Sequence, residues 1–238
     1  MKIEVCINRL EDISLLQSMA IDRIELCVEL GCGGLTPPFS MIDKALTLSH
    51  VPIHVLVRPR SGDFIFSEET LELMLQDCLA IEALGVAGIV TGALTPEGTL
   101  SLTFLEHLRS NLYRCALYFH RAFDDVIQPE YALEQLMALG FDGVLTSGQR
   151  TTALEGIDKL TQWKQMADGK LVVMPGSGIN AANFQHFQEA GFKWIHLSSK
   201  KIMPMTSSSS SSSLFSAPQY GIDIIALNKL IERVKSNQ

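Results

Sequence analysis

One join recurs along the chain: a helical pattern stops, turns, and enters a short apolar run. It appears in "SMAIDRIEL", "ALGVAGIVT", "ALGFDGVLT" and "EAGFKWIHL". Gly85, Gly140 and Gly191 stand where a helix C-terminus favours a left-handed residue, and Ala20 is the exception. After each apolar run, a polar or Gly/Pro-rich loop leads into the next helical pattern. The periodicity predicts strands near 3–7, 23–27, 53–57, 88–91, 115–120, 143–146, 171–174 and 194–198. Helices are predicted near 11–19, 40–49, 67–84, 101–110, 129–139, 151–167, 180–190 and 223–236. Eight such units in 238 residues point to α/β class and a parallel (β/α)8 TIM barrel, one domain over 1–238. An open doubly wound sheet is the alternative, but no Gly-rich dinucleotide turn follows the first strand. The stretch 203–220, with its run Ser207 to Ser213, is expected as a mobile loop before the last helix.

A barrel decides which strand face is buried under helices, and that face must be the apolar one. The opposite positions then point inward. They are Glu4 and Cys6, then Arg23, Glu25 and Cys27, then His54, Leu56 and Arg58. Further round come Ala116, Tyr118 and His120, then Trp194, His196 and Ser198; strand four is too uniformly apolar to orient. Such an interior is unusually ionisable, since barrel cores are normally Val, Ile and Leu. Each unpaired charge there costs several kcal/mol, so Glu4 and Glu25 need partners among Arg23, Arg58 and Arg60. A self-neutralising polar core is one explanation. Buried ion pairs are weak devices for stability alone, which favours a functional site at the C-terminal mouth.

Composition narrows the classes. A net charge of −7 and a pI near 5.4 argue against nucleic acid or an anionic membrane as main partner. Glu4 interrupts the N-terminal apolar run, so no secretory signal is expected there, and no stretch approaches a spanning helix. Five cysteines, an odd number, read as reduced thiols of a cytoplasmic protein. Cys78 and Cys115 fall on apolar patterns and read as core; Cys6, Cys27 and Cys32 need another account.

The loops supply site candidates. "RPRSGDF" carries Arg58, Arg60 and Asp63, two planar guanidiniums suited to a carboxylate or phosphate. "FHRAFDD" places His120 at the end of strand five, with Arg121 and Asp124 behind it. "LTSGQ" offers Ser147, and "VVMPGSGIN" offers Gly176 and Gly178 as close-approach backbone for an anion, with Asn180 able to cap the next helix. His196 and Ser198 complete the substrate-binding candidates.

The ordered motifs "EVC", "DRIELC", "GGLTP", "RPRSGDF", "GALT", "FHRAFD", "LTSGQ", "ALEG" and "MPGSGI" closely resemble the CutC family, named for copper homeostasis, over roughly residues 2–200. The resemblance implies a cytoplasmic TIM barrel, often a homodimer, that handles copper. It also implies Cys6 and Cys27 as Cu(I) ligands. The chain departs from the family pattern at Cys32, where Glu is usual, at Pro38 for Ser, and at Ser61 and Ser177 for Gly.

Two functions are then open. In the first, the inward thiols of Cys6 and Cys27 bind soft Cu(I). The stagger of adjacent barrel strands leaves open whether they sit level enough to share an ion. In the second, the chain is an enzyme of lyase or isomerase type acting on a small anionic or phosphorylated substrate. Glu4, Glu25 and His120 would do acid–base work, while Arg58, Arg60, Gly176 and Ser198 held the anion.

Overall fold

The computed structural model describes residues 1–203 and 218–236. Eight parallel strands alternate with helices: β1 (Lys2–Ile7), α1 (Glu11–Leu16), β2 (Arg23–Leu26), α2 (Phe39–Leu48), β3 (Ile53–Leu56), α3 (Glu68–Ala83), β4 (Gly88–Thr91), α4 (Leu102–Asn111), β5 (Ala116–Phe119), α5 (Pro129–Ala138), β6 (Gly143–Thr146), α6 (Ile157–Ala167), β7 (Val172–Pro175), α7 (Phe184–Glu189) and β8 (Trp194–Leu197). The ladder order is β7-β6-β5-β4-β3-β2-β1-β8, and a single parallel bridge, Gly176 to His196, joins β7 to β8. The sheet is a nearly closed (β/α)8 barrel. An antiparallel ribbon, β9 (Lys200–Ile202) with β10 (Tyr220–Ile222), then precedes α8 (Ile224–Ser236). Most of the expected 203–220 loop, residues 204–217, lies outside the described residues. Tyr220, expected within that loop, pairs with Ile202.

Local chemistry sets the boundaries. Gly85, Gly140 and Gly191 do sit at positive φ (87°, 73° and 74°) where α3, α5 and α7 stop. Ser67 caps α3 by accepting from the Thr70 N–H at 3.3 Å, and Glu68 and Glu69 follow in its first turn. The sixth helix starts later than the periodicity suggests. Thr152 and Glu155 cap each other's backbone N–H groups, at 3.2 and 3.3 Å, and hold 151–156 as turns. The seventh starts late as well, because Asn180 and Asn183 bind local backbone N–H groups instead.

Two apolar layers result. Ile3, Val5, Ile7, Ile24, Leu26, Val55, Ile89, Leu117 and Ile195 pack outward under the helices. Inside the barrel, Leu56, Val90, Tyr118, Leu145 and Met174 pack with Cys6 and Cys27. Val90 therefore settles the orientation of β4. Large inward groups are accommodated opposite glycine: His54 is registered with Gly88, and Tyr118 with Gly143. A Cβ at Gly143 would run into the Tyr118 ring. Cys78 is fully buried and Cys115 partly so, both against the outer layer.

Candidate functional site

β1 and β2 lie side by side in the register Glu4–Arg23 and Cys6–Glu25. Because side chains alternate along a strand, all four point inward, and Glu4 and Glu25 are 0% and 4% exposed. Arg23 Nε donates to Glu4 Oε2, and His196 Nδ1 meets Glu4 Oε1 at 2.6 Å. The Arg23 guanidinium is sandwiched between the rings of Trp194 and Tyr118, at 4.2 and 4.5 Å. Burial pushes the Glu4 carboxyl up, but the His196 hydrogen bond and the Arg23 charge outweigh it and hold the group at about 2. Glu4 is therefore an anion held between the Arg23 guanidinium and the His196 ring.

Glu25 is different. Burial raises its carboxyl above the ordinary range, and its Oε2 has no partner among the described residues. Burial opposes protonation of His196, yet the charge of Glu25 and the bond to Glu4 raise its proton affinity. His54, 4.0 Å from Glu4, is pushed down to about 4, chiefly by burial.

The thiols sit level. Cys6 Sγ and Cys27 Sγ are 3.6 Å apart, and both are buried. The hydrogen bond to Cys27, then burial, raises the Cys6 thiol well above its ordinary range. Cys6, Glu25 and His196 each offer a ligand atom, all within 4.8 Å of one another. With thiolate–metal bonds of about 2.3 Å, as in zinc sites, that sulfur separation gives an angle of roughly 100° at a shared ion. An angle so far from linear leaves room for a third donor. In its neutral form His196 offers Nε2 as one, since Nδ1 is occupied by Glu4. This donor set suits a soft ion.

The cluster opens into a cavity of about 920 Å³ at the C-terminal ends of the strands, whose rim includes Cys32, Arg58, His120, Ser198 and Gly178. Arg58 and Arg60 do not converge on it as a pair. Arg58 Nη1 donates to the carbonyls of Cys32 and Gly34 at 3.0 and 3.2 Å, and Nη2 to that of Gly62 at 2.8 Å. Arg60 is exposed and paired with Asp63 at 2.7 Å. His120 is buried against Phe64 and Phe119; its Nδ1 accepts from the Ala122 N–H at 3.2 Å, and burial with the nearby Arg58 charge pushes it down to about 3. Ser147 is buried and binds the Asp124 carboxylate. Gly176 is buried at the seam beside His196, Gly178 stands exposed at φ 73°, and Ser177 adopts φ 87° with its hydroxyl on the Thr151 carbonyl at 2.9 Å.

Sequence reasoning did not single out Asp124 as the organiser it is. Its carboxylate accepts from Thr146 Oγ1 at 2.5 Å, from the Ser147 and Gln149 N–H groups at 3.0 and 3.1 Å, and from Arg121 Nε at 2.8 Å. The joint presence of "FHRAFD" and "LTSGQ" was the available signal: one acid in a loop, and a run of hydroxyls and N–H groups at the next strand end.

The profile of the CutC family matches residues 1–201. A family protein CutC of Pasteurella multocida (strain Pm70) is 41% identical over 201 residues, 84% of this chain and 82% of the relative. One of Vibrio atlanticus (strain LGP32) is 38% identical over 235 residues, 96% and 95% of the two chains. The solved CutC of Streptococcus agalactiae, whose name assigns it provisionally to copper homeostasis, has a TM-score of 0.78 at 31% identity, covering 83% of this chain and 98% of that one. Phosphoribosyl anthranilate isomerase from Thermus thermophilus shares the fold alone, with a TM-score of 0.58 at 14% identity over the whole of both chains.

Proposed function

The chain belongs to the CutC family, and on that premise we propose that it serves cytoplasmic copper homeostasis by binding Cu(I) through Cys6 and Cys27. The observation that carries this reading is the 3.6 Å separation of two buried thiols beside His196 and Glu25. Copper here is cargo. Both thiols lose their protons on binding, and the Arg23 cation beside Glu4 offsets part of the negative charge that the thiolates bring. A cytoplasmic setting is supported by the free state of all five cysteines. The reading includes a homodimer, to be tested by light scattering. Competition against a chromogenic Cu(I) chelator tests the site: the Cys6→Ser/Cys27→Ser protein takes up no copper, and unchanged uptake ends the proposal.

A second reading is favoured by the opposite treatment of two neighbouring carboxyls, Glu4 held anionic and Glu25 pushed toward its neutral form. In it the chain is an enzyme of lyase or isomerase type, with Glu25 exchanging a proton with a small anionic or phosphorylated substrate. Glu4 fixes Arg23 and His196, and neutral His120 polarises an oxygen. Of the residues expected to hold the substrate, Arg58, Gly178, His196 and Ser198 line the cavity, whereas Arg60 and Asp63 pair with each other and Ser147 and Gly176 lie outside the lining. Turnover in a panel of sugar phosphates and short acids, lost in Glu25→Gln, is the expected result; a panel without any turnover counts against it.

A further inference from the structure

Two residues of the mouth cavity, on the side of β3 and β5, each bury a polar atom without a partner among the described residues: Arg58 Nε and His120 Nε2. Arg58 is 6% exposed and His120 4%. The remaining guanidinium nitrogens of Arg58 are committed to three carbonyls, which leaves Nε–H. The tautomer of His120 is fixed as well. Its Nδ1 accepts a backbone N–H, so the ring proton sits on Nε2. One aromatic ring covers both groups: Phe64 lies 4.8 Å from the Arg58 guanidinium and 4.8 Å from the His120 ring centroid. Two buried N–H donors thus stand under a shared apolar cover with no acceptor, an arrangement that folding alone penalises.

We propose that this niche binds the carboxylate of a small organic acid, one oxygen set being taken by Arg58 Nε–H and His120 Nε2–H under the Phe64 ring. The charge favours a carboxylate over phosphate. His120 is neutral, its proton affinity pushed down by burial, so the niche carries the single charge of Arg58. Arg121 is already spent on Asp124. A third orphan, Glu25 Oε2, lines the same cavity and is available to a hydroxyl or carbonyl on the body of the acid. This goes beyond the copper reading and gives the second reading a substrate class.

The test uses metal-free, full-length protein with 15N-labelled histidine, titrated with glycolate and separately with inorganic phosphate and chloride. The His120 Nε2 resonance is expected to move saturably with glycolate, and more weakly with phosphate or chloride. His120→Phe, which keeps a ring but removes the donor, weakens glycolate binding about tenfold or more by calorimetry. An unmoved resonance in the wild-type protein overturns the niche in favour of a bridging water, and needs no variant to fold. An equal response to chloride overturns the carboxylate assignment. Repeating the titration in Cys6→Ser/Cys27→Ser protein separates the two sites, because glycolate binding there persists whatever becomes of copper.

Discussion

Replacing Glu4 by Gln keeps the side chain's shape and removes its charge, so it isolates what the anion does in the barrel. One carboxylate oxygen faces Arg23 and the other faces His196. The amide has a single acceptor oxygen, so one of those two donors is orphaned. Arg23 has no other carboxylate within ion-pairing distance among the described residues. Two routes give the cost. A proton affinity displaced from 4.5 to about 2 corresponds to roughly 3 kcal/mol, at about 1.4 kcal/mol per decade. Breaking a buried pair by removing one partner typically costs about 3–5 kcal/mol. The routes agree, and Glu4→Gln is expected to lose about 3–5 kcal/mol near neutral pH, measured by urea unfolding followed by circular dichroism. The sign with pH is fixed too. A depressed carboxyl contributes above its unfolded value of 4.5, and the contribution is lost as pH falls toward about 2. Wild-type protein therefore shows an acid limb in that window which the variant lacks. A loss under about 1 kcal/mol, or an identical acid limb in both proteins, refutes the argument that this charge holds the interior together.

His54 and His120, pushed by burial from 6.5 to about 4 and about 3, act in the same direction over a higher range. Unfolded imidazoles take protons below pH 6.5 while the folded ones resist. Their contribution to the urea midpoint should therefore fall between about pH 7 and about pH 5, read as the difference between wild type and the His54→Gln/His120→Gln protein; a difference that does not change with pH contradicts the burial. Gly143→Ala forces a methyl into the Tyr118 ring and is expected to cost about 1–3 kcal/mol in thermal or urea unfolding; a neutral result means that the inner layer repacks freely. Asp124→Asn turns one of the oxygens that accept from the loop after β6 into a donor that faces donors. A loss of about 1–3 kcal/mol is expected, together with faster amide exchange at Ser147 and Gln149.

The eight-unit plan was legible because each unit repeats an apolar helical stripe, a turn and a short strand, with a left-handed glycine marking the turn after α3, α5 and α7. The inward direction of Glu4, Glu25 and His120 followed from strand alternation once helices were placed outside. What could not be read is which inward group meets which. Arg23, Arg58 and Arg60 were equal candidates for the acids. The choice of Arg23, with His196 as the second partner, depends on register across the β8–β1 junction, 192 residues apart in sequence. That Arg58 and Arg60 do not act as a pair was hidden for a related reason: loop carbonyls take the Arg58 Nη groups and Asp63 takes Arg60, and loop conformation carries no periodic signal. The level placement of the thiols and the β9–β10 ribbon were likewise set by stagger and loop path.

The unequal lacing of the barrel carries a mechanical consequence. Neighbouring staves are stitched along their length from β7 round to β8, but the cylinder is fastened by one pin, Gly176 to His196. That pin is also the residue whose imidazole reaches Glu4. Whatever grips the His196 ring therefore tightens the fastening, and amide exchange at 172–174 and at Trp194–Leu197 should slow more than anywhere else on the wall.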